Sequence, residues 1–170
     1  SAIYKKSFLD KYKIRFNSSK NTSYQDTSFQ FKAFYFAEKV KLINKNLYNY
    51  RVDNPISSIN TSDRAYDIIE EFKLINSFFK TKNPDFIAQK LLFELKAYIW
   101  NFKRIKESHE ENFLKEIRKI FKSYTKFEHR AFLKNKEIKL KDKIKFKLLI
   151  KHPKISDEIF AIYKMLCKAG

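Results

Sequence analysis

A single glycine, Gly170, stands in a chain of 170 residues. Glycine turns the backbone through left-handed conformations without steric cost, so this chain has almost no glycine turns at its disposal. The P-loop and the dinucleotide-binding fingerprint are excluded, because both need glycines at fixed places where the backbone meets a phosphate. With only three prolines as further breakers, the sequence favours helices joined by short connections. Hydrophobic residues make up 44% and aromatics 17%, with 18 Phe and 10 Tyr. That supplies a packed core and excludes a disordered chain. The length suits one domain, or a small lobe with an extension.

The formal net charge is +18. Such a field attracts polyanions. Residues 1–58 carry 11 basic and 4 acidic residues, and residues 59–170 carry 26 and 15. Neither segment is a basic tail, so the excess reads first as a lysine-rich compositional bias. The lone Cys167 excludes an intrachain disulfide and fits a reducing compartment. No apolar run approaches the roughly 20 residues that span a bilayer. The chain opens SAIYKKSFL, already inside an amphipathic pattern, and the expectation is a fragment of a longer protein.

Residues 3–11 place Ile3, Tyr4, Phe8 and Leu9 near helical spacing. Tyr12 to Phe16 alternates apolar and basic and predicts a short strand. A helix is expected from Thr27 to about Glu38. Val40–Ile43 and Leu47–Tyr50, split by Asn44-Lys45-Asn46, predict a strand pair. Asn54-Pro55 opens a turn, and composition and period change between about residues 58 and 62. Beyond that the pattern is helical: a helix capped by Ser62, and a long one opened by Asn83-Pro84. A third follows a capping box at Ser108–Glu111, then a short helix over 126–135. IKLKDKIKFKLLI, 138–150, alternates like a strand, but its neighbours favour a helix. Ser156 is expected to cap the last one. The fold class is therefore α+β, predominantly α, divided as residues 1–61 and 62–170.

Metal and nucleophile chemistry find little support. His109, His129 and His152 are widely separated, and HEEN at 109–112 lacks the second histidine of a zinc helix. A serine hydrolase lacks its glycine-flanked elbow, and Cys167 lies on an apolar-patterned helix. The aromatics fall at core spacing and no nucleic-acid motif is present, so nucleic acid is not an expected partner. The run from Glu137 to Lys154 sets lysines around an apolar stripe, which suits an anionic membrane surface as well as a solvated basic face. Asp26, before an aromatic-rich helix, reads either as a helix-start acid or as a functional carboxylate.

The order SAIYKKSFLDKYKIRF, SYQDTSF, then AEKVKLINKNLYNYRVDNPISS resembles the second half of the catalytic domain of an inverting GT-A glycosyltransferase of family 2. The bacterial capsule, lipooligosaccharide and cell-surface polysaccharide enzymes are the nearest comparison. The likeness covers about residues 1–60. It implies that residues 1–61 are the C-terminal half of a GT-A catalytic domain and 62–170 a helical extension. It also implies that Asp26 is the catalytic base, with Gln25 beside it, and that Tyr50, Arg51, Ser57 and Ser58 are substrate-binding residues. Arg51 would lie near the donor diphosphate and the two serines on a covering loop. A nucleotide-sugar donor, a glycan or lipid-linked acceptor and a divalent cation, Mn or Mg, are implied for the intact enzyme. Here the chain departs from the family: no two Asp are separated by one residue, so the metal ligands are not in this chain, and the fragment alone is expected to be inactive. The implied location is cytoplasmic, peripheral at the inner face of the membrane. The alternative is a non-enzymatic basic helical module that binds membrane or a protein partner.

Overall fold

The computed structural model describes residues 2–17, 23–46, 48–49, 64 and 66–168, with the backbone alone at 163 and 166–168. Eight helices are seen among these residues: α1 (Lys6–Lys11), α2 (Gln25–Phe36), α3 (Asp67–Phe78), α4 (Pro84–Phe102), α5 (Glu107–Ser123), α6 (Lys126–Lys134), α7 (Leu140–Lys151) and α8 (Pro153–Lys168). The chain is predominantly helical. It forms two compact units, Ser1–Phe78 and Phe79–Gly170. The composition change at 58–62 lies upstream of that division, and α3 packs on α2.

No strand occurs among the described residues, which corrects the β part of the expected class. Tyr12 to Phe16 finishes α1 instead of pairing. Lys13 sits in left-handed backbone at φ 52°. Its N–H donates to the Asp10 carbonyl at 3.2 Å, and the Ile14 N–H reaches back to Leu9 at 2.8 Å. This is the Schellman ending of a helix, with lysine where glycine is usual. It drives Ile14 into the core beside Leu9, Phe29 and Ala33. The alternation therefore marks a helix end with one inward residue. Val40, Leu42 and Ile43 lie outside any helix or strand and are all exposed. A lone strand pair is marginal unless another element covers one face, and here no buried face selects the register. Leu47 and Tyr50 lie outside the described residues.

In the Phe79–Gly170 unit the predicted periodicity appears as a core. Ile87, Leu91, Leu95, Tyr98 and Phe102 are buried along α4. The Asn83 side chain accepts from the Asp85 and Phe86 N–H groups, with Pro84 in the first turn. Two expected caps are displaced. α5 begins at Glu107, ahead of Ser108, directly after Ile105 is buried. α8 begins at Pro153, so Ser156 is a buried helical residue and not a cap. Proline's fixed φ suits a first helical position. The true capping box lies elsewhere: Thr125 accepts from the Glu128 N–H, and the Glu128 carboxylate accepts from the Thr125 N–H at 2.8 Å. Thr125→Ala is expected to cost about 1 kcal/mol in chemical denaturation. A loss no greater than that of an exposed mid-helix Ser→Ala would show the cap to be idle.

Candidate functional site

The first unit holds the residues to which sequence assigned chemistry. Gln25 and Asp26 are the first two residues of α2. Gln25 is half-buried and the Asp26 carboxylate is exposed. The N-cap is Tyr24, whose side chain makes no cap bond, so Asp26 stands within the first turn. The positive end of the helix dipole favours a negative charge there.

Two features around Asp26 are not readable from local sequence. Tyr24 has φ 63° and ψ 10°, the left-handed region. A bulky side chain there costs on the order of 1 kcal/mol or more, and such strain concentrates at functional positions. The chain thus enters α2 through a forced corner immediately before Gln25-Asp26. The second feature is Glu71 of α3, which is buried. Its carboxylate accepts from the Ser28 N–H at 3.3 Å and from Asn17 Nδ2 at 3.2 Å. Glu71 thereby caps the start of α2 from another helix. A faint signal existed: Glu71 shares the buried face of α3 with Ile68, Phe72 and Ile75, where a charge needs a partner.

Tyr4 completes the immediate surroundings. Its ring meets Phe29 edge-on at 5.3 Å. Burial and, second, the Asp26 carboxylate push the Tyr4 hydroxyl above its ordinary range. An exposed carboxylate on a fixed helix start, beside a neutral phenol, is equipped to accept a proton from an approaching hydroxyl. Tyr50, Arg51, Ser57 and Ser58, expected as substrate-binding residues, lie outside the described residues. Among the described residues no three His, Cys, Asp or Glu side chains gather as metal ligands. They do not fit a divalent cation.

A second polar cluster lies inside the Phe79–Gly170 unit. Glu94 is fully buried and accepts from Tyr98 Oη at 2.8 Å and Tyr124 Oη at 2.6 Å. Lys90, one turn earlier and also buried, lies 4.8 Å from the centre of the Tyr124 ring. Burial raises Glu94 above the usual carboxylate range, against the two phenolic hydrogen bonds and Lys90, which hold it down. Burial likewise lowers Lys90, against the opposing pull of Glu94 and Glu128. The Tyr98 hydroxyl is driven up by burial and then by Glu94. With no exposed carboxylate surface, Glu94 meets no solute. Its work is to fix the register of α4 against the residues after α5.

Two further ties bind α8. Lys164 Nζ donates to the Ile105 carbonyl at 2.5 Å and pairs with Glu110, and Arg118 of α5 pairs with Asp157. No described helix is long and apolar enough to cross a membrane. Comparison with known protein families, with curated proteins and with solved structures finds no match to this chain.

Proposed function

We propose that the chain is the C-terminal part of an inverting GT-A glycosyltransferase of family 2, acting in cell-surface polysaccharide synthesis. The observation that carries the reading is the Asp26 carboxylate, exposed in the first turn of α2 behind a strained tyrosine. The resemblance assigns this residue the role of base. In this reading residues 1–61 contribute the acceptor-side half of a GT-A lobe, and residues 62–170 form a helical extension.

The chemistry asks for one carboxylate. The acceptor hydroxyl oxygen attacks the anomeric carbon while Asp26 takes its proton. The bond to the leaving oxygen of the nucleotide diphosphate breaks with its electron pair, and the configuration inverts. Arg51 is assigned to charge on the departing diphosphate. Tyr50, Ser57 and Ser58 are assigned to the sugar and the covering loop. The Mn or Mg ion expected of the intact enzyme has no ligand set among the described residues. The enzyme is placed on the cytoplasmic side, peripheral to the inner face of the membrane.

The test is Asp26→Asn in the full-length protein that carries this chain, assayed with a nucleotide-sugar donor. Turnover is expected to fall at least about a hundred-fold, the usual worth of a positioned base. Donor affinity, read by calorimetry, stays within about two-fold, because the base acts on the acceptor. Near-normal turnover of the variant sinks the assignment.

A further inference from the structure

The outer side of α7 and α8 combines features that an ordinary solvated face does not need. On α7, Asp142, Phe146 and Leu149 are buried. A helix repeats every 3.6 residues, so Leu140, Ile144, Lys147 and Lys151 lie on the opposite side. Leu140 is 72% exposed and Ile144 46%. Leu148 continues the row at the same spacing and lines a shallow hollow with Lys145 of α7, Ile99 of α4, and Ser156, Ile159 and Phe160 of α8. From that hollow a second row leaves along α8: Ile155, Ile159 and Ile162, all exposed. Two aliphatic rows thus meet at one hollow and form a continuous apolar track over two packed helices.

Along α7 and the turn into α8 the charge around this track has one sign, while Glu158 of α8 is an exposed acid beside its far end. Residues 139–154 contain seven lysines and one acid, Asp142, and that acid is buried. Lys139, Lys141, Lys147, Lys151 and Lys154 are exposed. We infer that this face docks on an anionic phospholipid surface. The aliphatic rows enter the boundary between headgroups and acyl chains, and the lysines reach the headgroups. The combination separates lipid from the other polyanions. Residues 131–170 contain no arginine, and Phe146 and Phe160 are buried. The described part of the face therefore offers neither guanidinium forks for phosphodiesters nor exposed rings for bases to stack on. Exposed isoleucines gain nothing from a sugar-phosphate backbone, whereas a bilayer surface buries them. This inference does not depend on the glycosyltransferase reading.

The full chain is sedimented with vesicles of phosphatidylcholine containing roughly one-third phosphatidylglycerol, and with phosphatidylcholine alone. Binding is expected to the anionic vesicles only, and to be lost at about 0.5 M salt. Lys141→Gln/Lys147→Gln/Lys151→Gln should lower partitioning about a hundred-fold, near five-fold per lysine. Leu140→Ser/Ile144→Ser should lower it at least about ten-fold with all charges kept. Circular dichroism of both variants should match the parent, since all five positions are exposed. Equal binding to neutral vesicles, or no binding, overturns the inference. So does retention by polyuridylate that survives Leu140→Ser/Ile144→Ser while vesicles are not bound.

Discussion

Glu94→Leu is expected to destabilise the Phe79–Gly170 unit by about 3–5 kcal/mol in urea unfolding. Leucine fills the space, but it strips buried Lys90 of its counter-charge and the Tyr98 and Tyr124 hydroxyls of their acceptor. Each stranded hydroxyl costs about 1–3 kcal/mol, and the isolated ammonium more. Lys90→Met/Glu94→Leu should recover part of the loss, because a buried pair replaced as a whole by apolar groups is often tolerated. A single variant within about 1 kcal/mol of the parent would show the cluster to be slack.

The same cluster shapes the response to pH. Glu94 is raised above its ordinary value of 4.5. Between that value and the folded one the native state holds a proton that the unfolded chain has released, and this contribution is full below 4.5 and lost as pH climbs through the folded value. Lys90 is lowered from 10.5. Its ammonium is disfavoured in the fold, so its contribution grows as pH rises through the folded value. Relative to Lys90→Met/Glu94→Leu, stability of the parent should fall as pH climbs from 4.5 through the folded Glu94 value, and rise as pH climbs through the folded Lys90 value towards 10.5. Parallel profiles of parent and double variant would exclude this coupling.

Phe146→Ala is the second large effect, about 3–5 kcal/mol for a buried ring removed without repacking. Phe146 is 1% exposed. Its ring lies 4.4 Å from Phe132 and 5.4 Å from both Phe121 and His129. It thus joins α5, α6 and α7 at one point. Domain stability is about 5–15 kcal/mol in total, so one truncation here removes a large share. Phe146→Leu should cost less than about half as much. The control is Phe127→Ala at a half-exposed position. If the two alanine variants unfold at the same urea concentration, Phe146 is not the keystone described.

The helices of the second unit were legible because their apolar residues recur at three and four, and because Asn83-Pro84 marks a start by known chemistry. Lys90 and Glu94 were not. They occupy the core register with Ile87, Leu91 and Tyr98, but a lone charge is normally assigned to solvent. The Tyr124 that answers Glu94 is thirty positions away. Alternation misled at Tyr12–Phe16, where one inward isoleucine after a helix end imitates a strand. At the candidate site, a helix is expected from Thr27, and it begins two residues earlier, at Gln25. The left-handed Tyr24 was not legible, since nothing in a tyrosine announces positive φ. Nor was Glu71, whose role exists only after α3 meets α2.

That last contact also bears on the order in which the chain folds. α4 and α6 are capped by Asn83 and Thr125, their own neighbours, so each carries its nucleation signal with it. α2 does not. The group that receives its Ser28 N–H arrives from 43 positions downstream. A loop of that size must close before the first turn of α2 is secured, and loop closure is slow compared with helix growth. The segment bearing Asp26 is therefore expected to finish late, after α3 has found its place, while α4 and α6 of the other unit start from local contacts.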